Sequence, residues 1–292
     1  MDLEAMASIL EASGDYRVLR KLKPTGRAFT FQSAHHIGLF VDVETTGLDA
    51  RTDEIIELAM VRFAYDDLGQ ILGVGESFQG FRQPAIPIPA KVTALTGITD
   101  AMVAGHVIDA SAVAAFASSA TVVVAHNAAF DRRFLERFSD VFRTKPWACS
   151  MSQVDWASEG FEGTKLTYLA SGAGFFYDKH RAVNDCVAAI ELLTRALPRS
   201  GVSTWCRMLE RARLPSWRVR VEGAPFDLKD VLKARGYRWD DGSSGWPKAW
   251  WIDVEDADRD NELVYLRREI YQRDVDLRPV RITAFDRFSD RC

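Results

Sequence analysis

Residues 40–48, FVDVETTGL, place two carboxylates at the end of an apolar strand. Asp42 and Glu44 lie two residues apart, so in an extended strand their side chains leave the same face, while Val41 and Val43 enter the core. Two anions on one face of a strand repel each other, and burying them is costly unless a positive charge compensates them. The alternative is an edge strand whose acidic face lies in water. The segment therefore requires either solvent or a cation beside it.

Two further carboxylates interrupt the apolar faces of predicted helices. Asp131, in AHNAAFDRRFLERF, lies on the apolar stripe of its helix, whereas Arg132 and Glu136 are predicted to face solvent. Asp185, in HRAVNDCVAAIELL, also occupies a position where the pattern favours an aliphatic residue. A salt bridge to a neighbouring arginine is the alternative explanation for Asp131.

Together, these four inward-facing carboxylates indicate a metal site. Oxygen-rich sets of ligands suit hard divalent cations, above all Mg²⁺ or Mn²⁺. Two such ions about 4 Å apart stabilise both the attacking and the leaving oxygen of a phosphoryl displacement. His180 lies five residues before Asp185, and imidazoles titrate near neutrality, so it can take a proton from the attacking water. We therefore predict two divalent cations held by four ligands, with His180 as general base. The predicted ligands are Asp42, Glu44, Asp131 and Asp185.

Composition is compatible with this prediction but does not demand it. The net charge is −4, and residues 37–197 hold 20 acidic and 13 basic side chains. Such an excess fits a metal-dependent site, and it fits an ordinary acidic surface equally well. The four cysteines form no CxxC pair, so neither a zinc site nor a disulfide framework is indicated. No apolar run approaches the length of about 20 residues of a membrane helix, and no signal peptide is visible, so we expect a cytoplasmic protein without a membrane partner.

The order of predicted elements favours a mixed α/β sheet with helices on its faces. The predicted strands are 37–43, 55–65, 70–81 and 121–125, and the predicted helices are 3–22, 91–95, 109–119, 128–138, 165–171 and 181–197. From these we predict an N-terminal helical preface at 1–35, a main domain at 36–197 and a basic helical connector at 198–214.

Residues 215–292 are predicted to form a second, small, tryptophan-rich α/β domain. Its predicted strands are 217–221, 237–239 and 248–254, and its predicted helices are 226–236 and 261–272. Five of the eight tryptophans lie between residues 217 and 251. Tryptophans at strand spacing are usually core residues. Alternatively, they stack on the bases of a single strand while arginines such as Arg218 and Arg220 follow the phosphates.

Three segments resemble the motifs of a known family. VDVETTGL, AHNAAFD and HRAVND are similar, in that order, to the three motifs of the DEDD exonucleases with a catalytic histidine, the DnaQ-like branch that includes the proofreading epsilon subunit of bacterial DNA polymerase III. Residues 92–100, VTALTGITD, resemble the segment between the first two motifs. The resemblance covers about residues 36–197. It implies a ribonuclease H-like fold and an enzyme that hydrolyses phosphodiester bonds from the 3′ end of single-stranded nucleic acid, releasing nucleoside 5′-monophosphates.

The resemblance also implies residue roles. The four carboxylates match the metal ligands and His180 matches the general base. Thr45 matches a position near the terminal 3′ hydroxyl, and Leu48 one against the base. The complete set of implied substrate-binding residues is Thr45, Thr46, Leu48, His126, Asn127 and Phe130. His126 fits a structural histidine at a strand end equally well.

The biological role stays open at this stage. DNA is the favoured substrate, in proofreading or repair, but RNA-trimming relatives occur in the family and no residue that reads a 2′-hydroxyl is identifiable. Two other classes remain: a non-catalytic binding module, and an accessory subunit bound to a DNA polymerase as partner.

Overall fold

The computed structural model describes residues 2–23, 36–242 and 245–291. The chain divides into two compact units, Met1–Arg211 and Ala212–Cys292. The predicted preface falls partly on residues 24–35, which lie outside the described residues. Within the described ranges, none of the helices combines the length and apolar character that crossing a lipid bilayer requires.

The described strands of the first unit are β1 Arg20–Lys21, β2 His36–Thr45, β3 Ile55–Tyr65, β4 Ile71–Phe81, β5 Val122–Ala125, β6 Trp147–Cys149 and β7 Phe175–Phe176. Its described α-helices are α1 Leu3–Ala12, α2 Ala90–Thr96, α3 Asp100–Val103, α4 Ala110–Ser118, α5 Ala128–Phe138, α6 Leu166–Gly172 and α7 Ala182–Thr194. A 3₁₀ turn, Asp140–Arg143, follows α5, and α8, Thr204–Arg213, spans the boundary between the units.

The main sheet of the first unit is mixed, as expected. Its described strands run in the order β4-β3-β2-β5-β6. The pairs β2–β3 and β3–β4 are antiparallel, whereas β2–β5 and β5–β6 are parallel. Helix α7 packs on β2, β3 and β4, and α5 packs on β2, β5 and β6. The acidic strand β2 is therefore central, and the edge-strand alternative is wrong.

Strand β2 is covered on both faces. Leu39, Phe40 and Val41 are consecutive, and each is at most 1% exposed. Since successive side chains of a strand point to opposite faces, both faces lie against other parts of the protein. The carboxylates that follow in this strand are half-buried, so solvent neutralises their charge only in part.

The predicted N-terminal helix is only half present. Helix α1 starts on the cap formed by Asp2, whose side chain accepts a hydrogen bond from the Glu4 amide, and it ends at Ala12. Gly14 adopts φ +79°, which breaks the helix. The chain then forms β1, which pairs in parallel with β7, so the predicted helix over 3–22 is wrong beyond residue 12.

One face of α5 also departs from expectation. Arg132 is fully buried and Glu136 is 7% exposed, although both were predicted to face solvent. The guanidinium of Arg132 donates to Glu136 at 2.7 Å and lies over the ring of Trp147. Helix α5 is covered on two sides because it lies against β6 as well as β2, and pairing makes the second buried face tolerable.

The second unit contains β8 Ser216–Glu222, β9 Arg238–Asp240, β10 Ala249–Glu255 and β11 Val280–Ile282 among its described strands, with helices α9 Lys229–Ala234 and α10 Arg259–Tyr265. A 3₁₀ turn, Phe226–Leu228, precedes α9, and a π-helical turn, Leu266–Tyr271, follows α10. The sheet is antiparallel, in the order β11-β8-β10-β9.

The side chains of the second unit bear on the two interpretations of its tryptophans. Trp250 packs against a buried cluster that includes Val219 and Leu232. Arg218 forms a two-bond pair with Asp253, with both distances at 2.8 Å, and Arg220 contacts Asp240 at 3.1 Å. These contacts favour a structural role for Trp250 and the two arginines.

Candidate active site

Three of the predicted ligands meet in space. Asp42 and Glu44 extend from the end of β2, and Asp185 lies in the first turn of α7, which packs on that strand. One ligand oxygen from each of the three lies within 4.8 Å of the others. Asp42 and Glu44 come together because they lie two residues apart in one strand. Asp185 joins them because its helix packs on the same strand.

Asp131 joins the group from α5. Its side chain is 2% exposed, and its Oδ1 accepts a hydrogen bond from the Val43 amide at 3.1 Å. Val43 lies between Asp42 and Glu44, so this bond ties α5 to β2 between the two acids. This contact is with the backbone of β2, whereas the alternative explanation for Asp131 was a salt bridge to a neighbouring arginine.

The carboxylates raise one another's pKa values. Burial raises the pKa of Asp42 well above its usual range, and the charges of Asp131, Asp185, Glu44 and Glu57 raise it further. Burial also raises the pKa of Asp131 to about 8, against the opposing effect of its hydrogen bond from Val43. The site concentrates negative charge in a partly buried environment, and a bound cation relieves that repulsion.

Glu44 is less deeply buried than Asp131, and its pKa is raised in the same way. Burial, followed by the charges of Asp185 and Glu57, raises the pKa of Glu44 to about 7, although the Arg181 guanidinium works in the opposite direction. At neutral pH the carboxyl of Glu44 is therefore close to the midpoint between its two protonation states.

Both oxygens of Asp185 have protein donors. The Tyr177 hydroxyl donates to Oδ1 at 2.8 Å, and the His180 amide donates to Oδ2 at 3.0 Å. Burial raises the pKa of Asp185, while these hydrogen bonds and the charge of His180 oppose the rise. The two donors fix the orientation of this carboxylate before any ligand arrives.

His180 lies in the turn that leads into α7, with its side chain partly exposed. Its backbone has φ +64°, a left-handed conformation that a residue other than glycine adopts rarely and at some cost. That conformation directs the amide toward Asp185, so the predicted base and one predicted ligand belong to a single folded segment.

The turn after Glu44 is held by Asp53. The pairing of β2 with β3 shifts between Glu44 and Thr45, and such bulges redirect the side chains that follow. Thr46 donates its hydroxyl to Asp53 Oδ1 at 3.0 Å, and the other carboxylate oxygen accepts from the Asp49 amide at 2.9 Å. A Cβ at Gly47 would overlap the Asp53 carboxylate, so a larger residue would displace the side chain that holds the turn.

The turn presents two of the predicted substrate residues differently. Thr45 is 7% exposed and its hydroxyl donates to the Gly47 carbonyl at 2.6 Å. Leu48 is 86% exposed, which is unusual for a leucine and leaves its side chain open to a ligand.

His126 is held by the protein at both ring nitrogens. Nε2 lies 2.8 Å from the Thr164 carbonyl, which can only accept, so Nε2 carries the proton and Nδ1 accepts from the Ser150 hydroxyl at 2.9 Å. Desolvation lowers the pKa of His126 to about 4, so the ring is neutral at pH 7. These contacts give His126 a structural task at the end of β5.

Asn127 and Phe130 begin helix α5 beside Asp131. Asn127 is the exposed N-terminal cap and has φ +84°, a conformation that asparagine tolerates better than most residues. Phe130 is half-buried, and its ring lies 5.0 Å from that of Phe134.

Three residues near this site were missed in the sequence. Glu57 is fully buried in β3, directly opposite Glu44 in the strand pairing. An acid inside the apolar run IIELAMV is the same anomaly that pointed to Asp131, so the pattern was sufficient to find it. Tyr177 and Ser150 gave no such signal, because tyrosines and serines occur widely in loops, and only the folded structure places them on Asp185 and His126.

Comparisons with known proteins identify the family of the chain. The family model described as "Exonuclease" (RNase_T) matches residues 39–193, more than half of the chain. The chain is similar to the PolC-type DNA polymerase III of Clostridium perfringens, with 34% identity over 158 residues, which are 52% of this chain and 10% of that one. It is also 29% identical over 164 residues to the DNA polymerase III epsilon subunit of Aquifex aeolicus, covering 54% of this chain and 78% of that one.

Among solved structures, E. coli exonuclease I in complex with a dA16 oligonucleotide has a TM-score of 0.51 and 16% identity, covering 80% of this chain and 71% of that one. This likeness confirms the predicted ribonuclease H-like fold. The chain spans only about a tenth of the length of the PolC-type relatives. The segment matched by the family model contains all five predicted catalytic positions, and the resemblance to DnaQ-like exonucleases is confirmed. The chain belongs to the exonuclease family.

Proposed function

We propose that the chain is a metal-dependent exonuclease that removes nucleoside 5′-monophosphates from the 3′ end of single-stranded nucleic acid, with DNA as its preferred substrate. The observation that carries this proposal is the group formed by Asp42, Glu44 and Asp185, whose oxygens lie within 4.8 Å of one another at the end of a central strand. Family membership supports the reaction class, and the acidic group supports its dependence on a metal.

The residues fit divalent cations on two grounds. The available donors are carboxylate oxygens, which suit Mg²⁺ and Mn²⁺. Burial and then the neighbouring carboxylates raise the pKa values of Asp42, Glu44 and Asp131, and bound cations would stabilise the charged form of each. In the proposed site these three residues and Asp185 hold two ions. When bound, such ions stabilise the charge that develops on the phosphate and on the entering and leaving oxygens.

His180 is the proposed general base. A neutral imidazole nitrogen accepts the proton of the attacking water as the phosphodiester bond breaks. The partly exposed position of its ring and the bond from its amide to Asp185 support this role, because they keep the ring accessible and tied to the acidic group.

The turn after β2 and the start of α5 are the proposed binding surface for the terminal nucleotide. Leu48 offers an exposed apolar side chain to the base, and Thr45 and Thr46 brace the turn with their buried hydroxyls so that its backbone can contact the nucleotide. Asn127 and Phe130 complete the surface. For His126 we propose a positioning role, since its ring nitrogens already hold Ser150 and Thr164.

The names of the similar proteins support the choice of substrate and partner. E. coli exonuclease I has been solved with a deoxyribonucleotide oligomer, and two relatives bear the names of DNA polymerase III proteins. On this basis we propose single-stranded DNA as substrate and a DNA polymerase as partner. An exoribonuclease is the alternative.

A degradation assay tests the proposal. Matched single strands of DNA and RNA, labelled at the 5′ end, are incubated with the protein in Mg²⁺, in Mn²⁺ and in EDTA. We expect a ladder of products shortened from the 3′ end on DNA, more slowly on RNA, and none in EDTA. A strand blocked at its 3′ end serves as the control and should resist. Intact strands in both metals would contradict the proposal. Faster degradation of RNA than of DNA would show that RNA is the preferred substrate.

A further inference from the structure

The site contains a fifth carboxylate, which has no role in the proposed chemistry. Glu57, in β3, is fully buried and lies opposite Glu44 across the β2–β3 pairing. It contributes no oxygen to the group in which Asp42, Glu44 and Asp185 lie within 4.8 Å of one another. An isolated buried carboxylate is costly, so its partners indicate what it does.

The partners of Glu57 come from two neighbouring elements. Its Oε1 accepts from Gln79 Nε2 of β4 at 2.6 Å and lies 3.5 Å from the Arg181 guanidinium. Its Oε2 accepts from the Ala182 amide at 3.4 Å. Both oxygens are therefore engaged by protein donors, one from the sheet and one from the start of α7.

The contacts to Arg181 and Ala182 fall at the start of helix α7. Ala182 is the first helical residue, and Arg181, at the cap position, makes no capping hydrogen bond with its side chain. The first amides of a helix need acceptors, and a negative charge there is favourable. Glu57 supplies both to the Ala182 amide from the neighbouring strand, in addition to Asp185, the acidic residue in the first turn of the helix itself. The Arg181 guanidinium also lies over the Phe81 ring at 5.1 Å, a second contact that restrains it.

The anchored segment is the one that carries His180 and Asp185. His180 directly precedes Arg181 and adopts the unfavourable φ of +64°. Asp185 follows in the first turn of α7 and accepts a hydrogen bond from the His180 amide. A strained turn persists only when its surroundings hold it. The contacts from Glu57 hold its C-terminal side against the sheet.

We propose that Glu57 is a positioning residue: through Arg181 and the Ala182 amide it fixes the turn that carries His180 and Asp185 relative to Asp42 and Glu44 on β2. The inference rests on the proposed function for its effect on turnover. Its effect on the turn itself does not depend on activity.

The first test replaces Glu57 with glutamine, which keeps the size of the side chain and removes the charge that pairs with Arg181. Residues that orient metal ligands typically contribute about 10–100-fold to activity. We expect Glu57→Gln to lower kcat by that factor, with KM changed less than about threefold. Glu76→Gln is the matched control, because Glu76 pairs with Arg62 on the same sheet at 3.3 Å but lies exposed. It should keep wild-type kcat, and wild-type kcat in Glu57→Gln would overturn the proposal.

The second test asks whether the effect runs through Arg181. Residues that act through one contact give non-additive effects. Arg181→Gln alone should lower kcat, and the double variant Glu57→Gln/Arg181→Gln should be no slower than the slower single variant. A double variant slowed by the product of the two single factors would overturn the link. Arg181 is 34% exposed, so its substitution tests the same contact even when Glu57→Gln fails to fold.

The third test needs no activity. Hydrogen–deuterium exchange is measured in EDTA on the peptide covering residues 178–186. Loss of the anchor should raise its exchange rate about threefold or more in Glu57→Gln and Arg181→Gln, with no change in Glu76→Gln. Unchanged exchange in both variants would overturn the proposal. If the wild type degrades no strand in Mg²⁺ or Mn²⁺, the proposed function fails, and this exchange measurement still decides the role of Glu57.

Discussion

Asp131 and Glu44 differ from ordinary surface acids because their surroundings favour the protonated form. Burial holds the pKa of Asp131 at about 8 and that of Glu44 at about 7, whereas both groups are ionised above pH 5 in an unfolded chain. The folded protein therefore binds more protons than the unfolded chain between these values. Raising the pH disfavours the state that binds more protons, which here is the folded state. The free energy of unfolding therefore falls as pH rises through this interval.

This difference predicts how the metal-free protein responds to pH. In EDTA, the melting temperature should fall as pH rises from 6.5 to 8. Below pH 6.5 His126 acts in the opposite sense, because its lowered pKa means that the unfolded chain takes up the proton first. Thermal unfolding of wild type and Asp131→Asn measures the effect, and the variant should show a smaller decline. A melting temperature that rises over this interval in EDTA would contradict the pKa assignments.

His180 should affect turnover more than binding. His180→Ala removes the imidazole and leaves the amide that supports Asp185, so we expect kcat to fall by about 10²–10⁴-fold. The affinity for Mn²⁺ should change little, because the four carboxylates remain. Single-turnover hydrolysis together with Mn²⁺ titration separates the two effects. A variant that keeps more than a tenth of the wild-type rate would remove His180 from the mechanism.

At the scale of single elements, helix α5 depends on a buried ion pair. Arg132 is fully buried against Glu136 and Trp147, and removing one partner of such a pair leaves a buried charge. Arg132→Ala should lower the free energy of unfolding by about 3–5 kcal/mol. Arg137→Ala, on the exposed side of the same helix, should cost less than about 0.5 kcal/mol. Urea unfolding of both variants measures this, and equal effects would show that Arg132 is not the stabilising partner.

The elements that the sequence predicted well are those with a long, one-sided or continuous apolar pattern. The run from Ile55 to Tyr65 forms β3 at its predicted bounds, and residues 128–138 form α5 at theirs. The short strands β6, β7 and β11 were missed because two or three residues carry no period of their own, and their pairing depends on neighbours distant in sequence. The prediction that Arg132 and Glu136 face solvent was wrong because a charged helix face normally lies in water. Here the packing of α5 against β6 buries that face.

For the site, the acids were predictable and their surroundings were not. Asp42, Glu44, Asp131 and Asp185 each broke an apolar pattern, and the structure brings three of them within 4.8 Å. The donors that orient them, such as Tyr177, come from loops whose positions follow from the tertiary fold. Their catalytic roles stay predictions.

At the scale of the whole molecule, the second unit raises the question of whether it binds nucleic acid. Its arginines Arg218 and Arg220 are paired with Asp253 and Asp240. A guanidinium already neutralised by a carboxylate releases few counterions from DNA. We therefore expect Arg218→Gln to leave the dependence of single-strand binding on salt unchanged. Binding measured by fluorescence anisotropy at several salt concentrations tests this, and a slope reduced by about one would favour the single-strand platform instead.

The central claim is that the clustered carboxylates bind divalent metal, and calorimetric titration with Mn²⁺ tests it most directly. Metal must displace the protons that Asp131 and Glu44 hold near neutral pH, so binding should release protons and the heat should vary with the ionisation enthalpy of the buffer. Wild type should show saturable binding with proton release at pH 7, Asp42→Asn should lose it, and the exposed control Asp140→Asn should keep it. Absence of saturable Mn²⁺ binding in wild type, or equal binding in Asp42→Asn, would contradict the account.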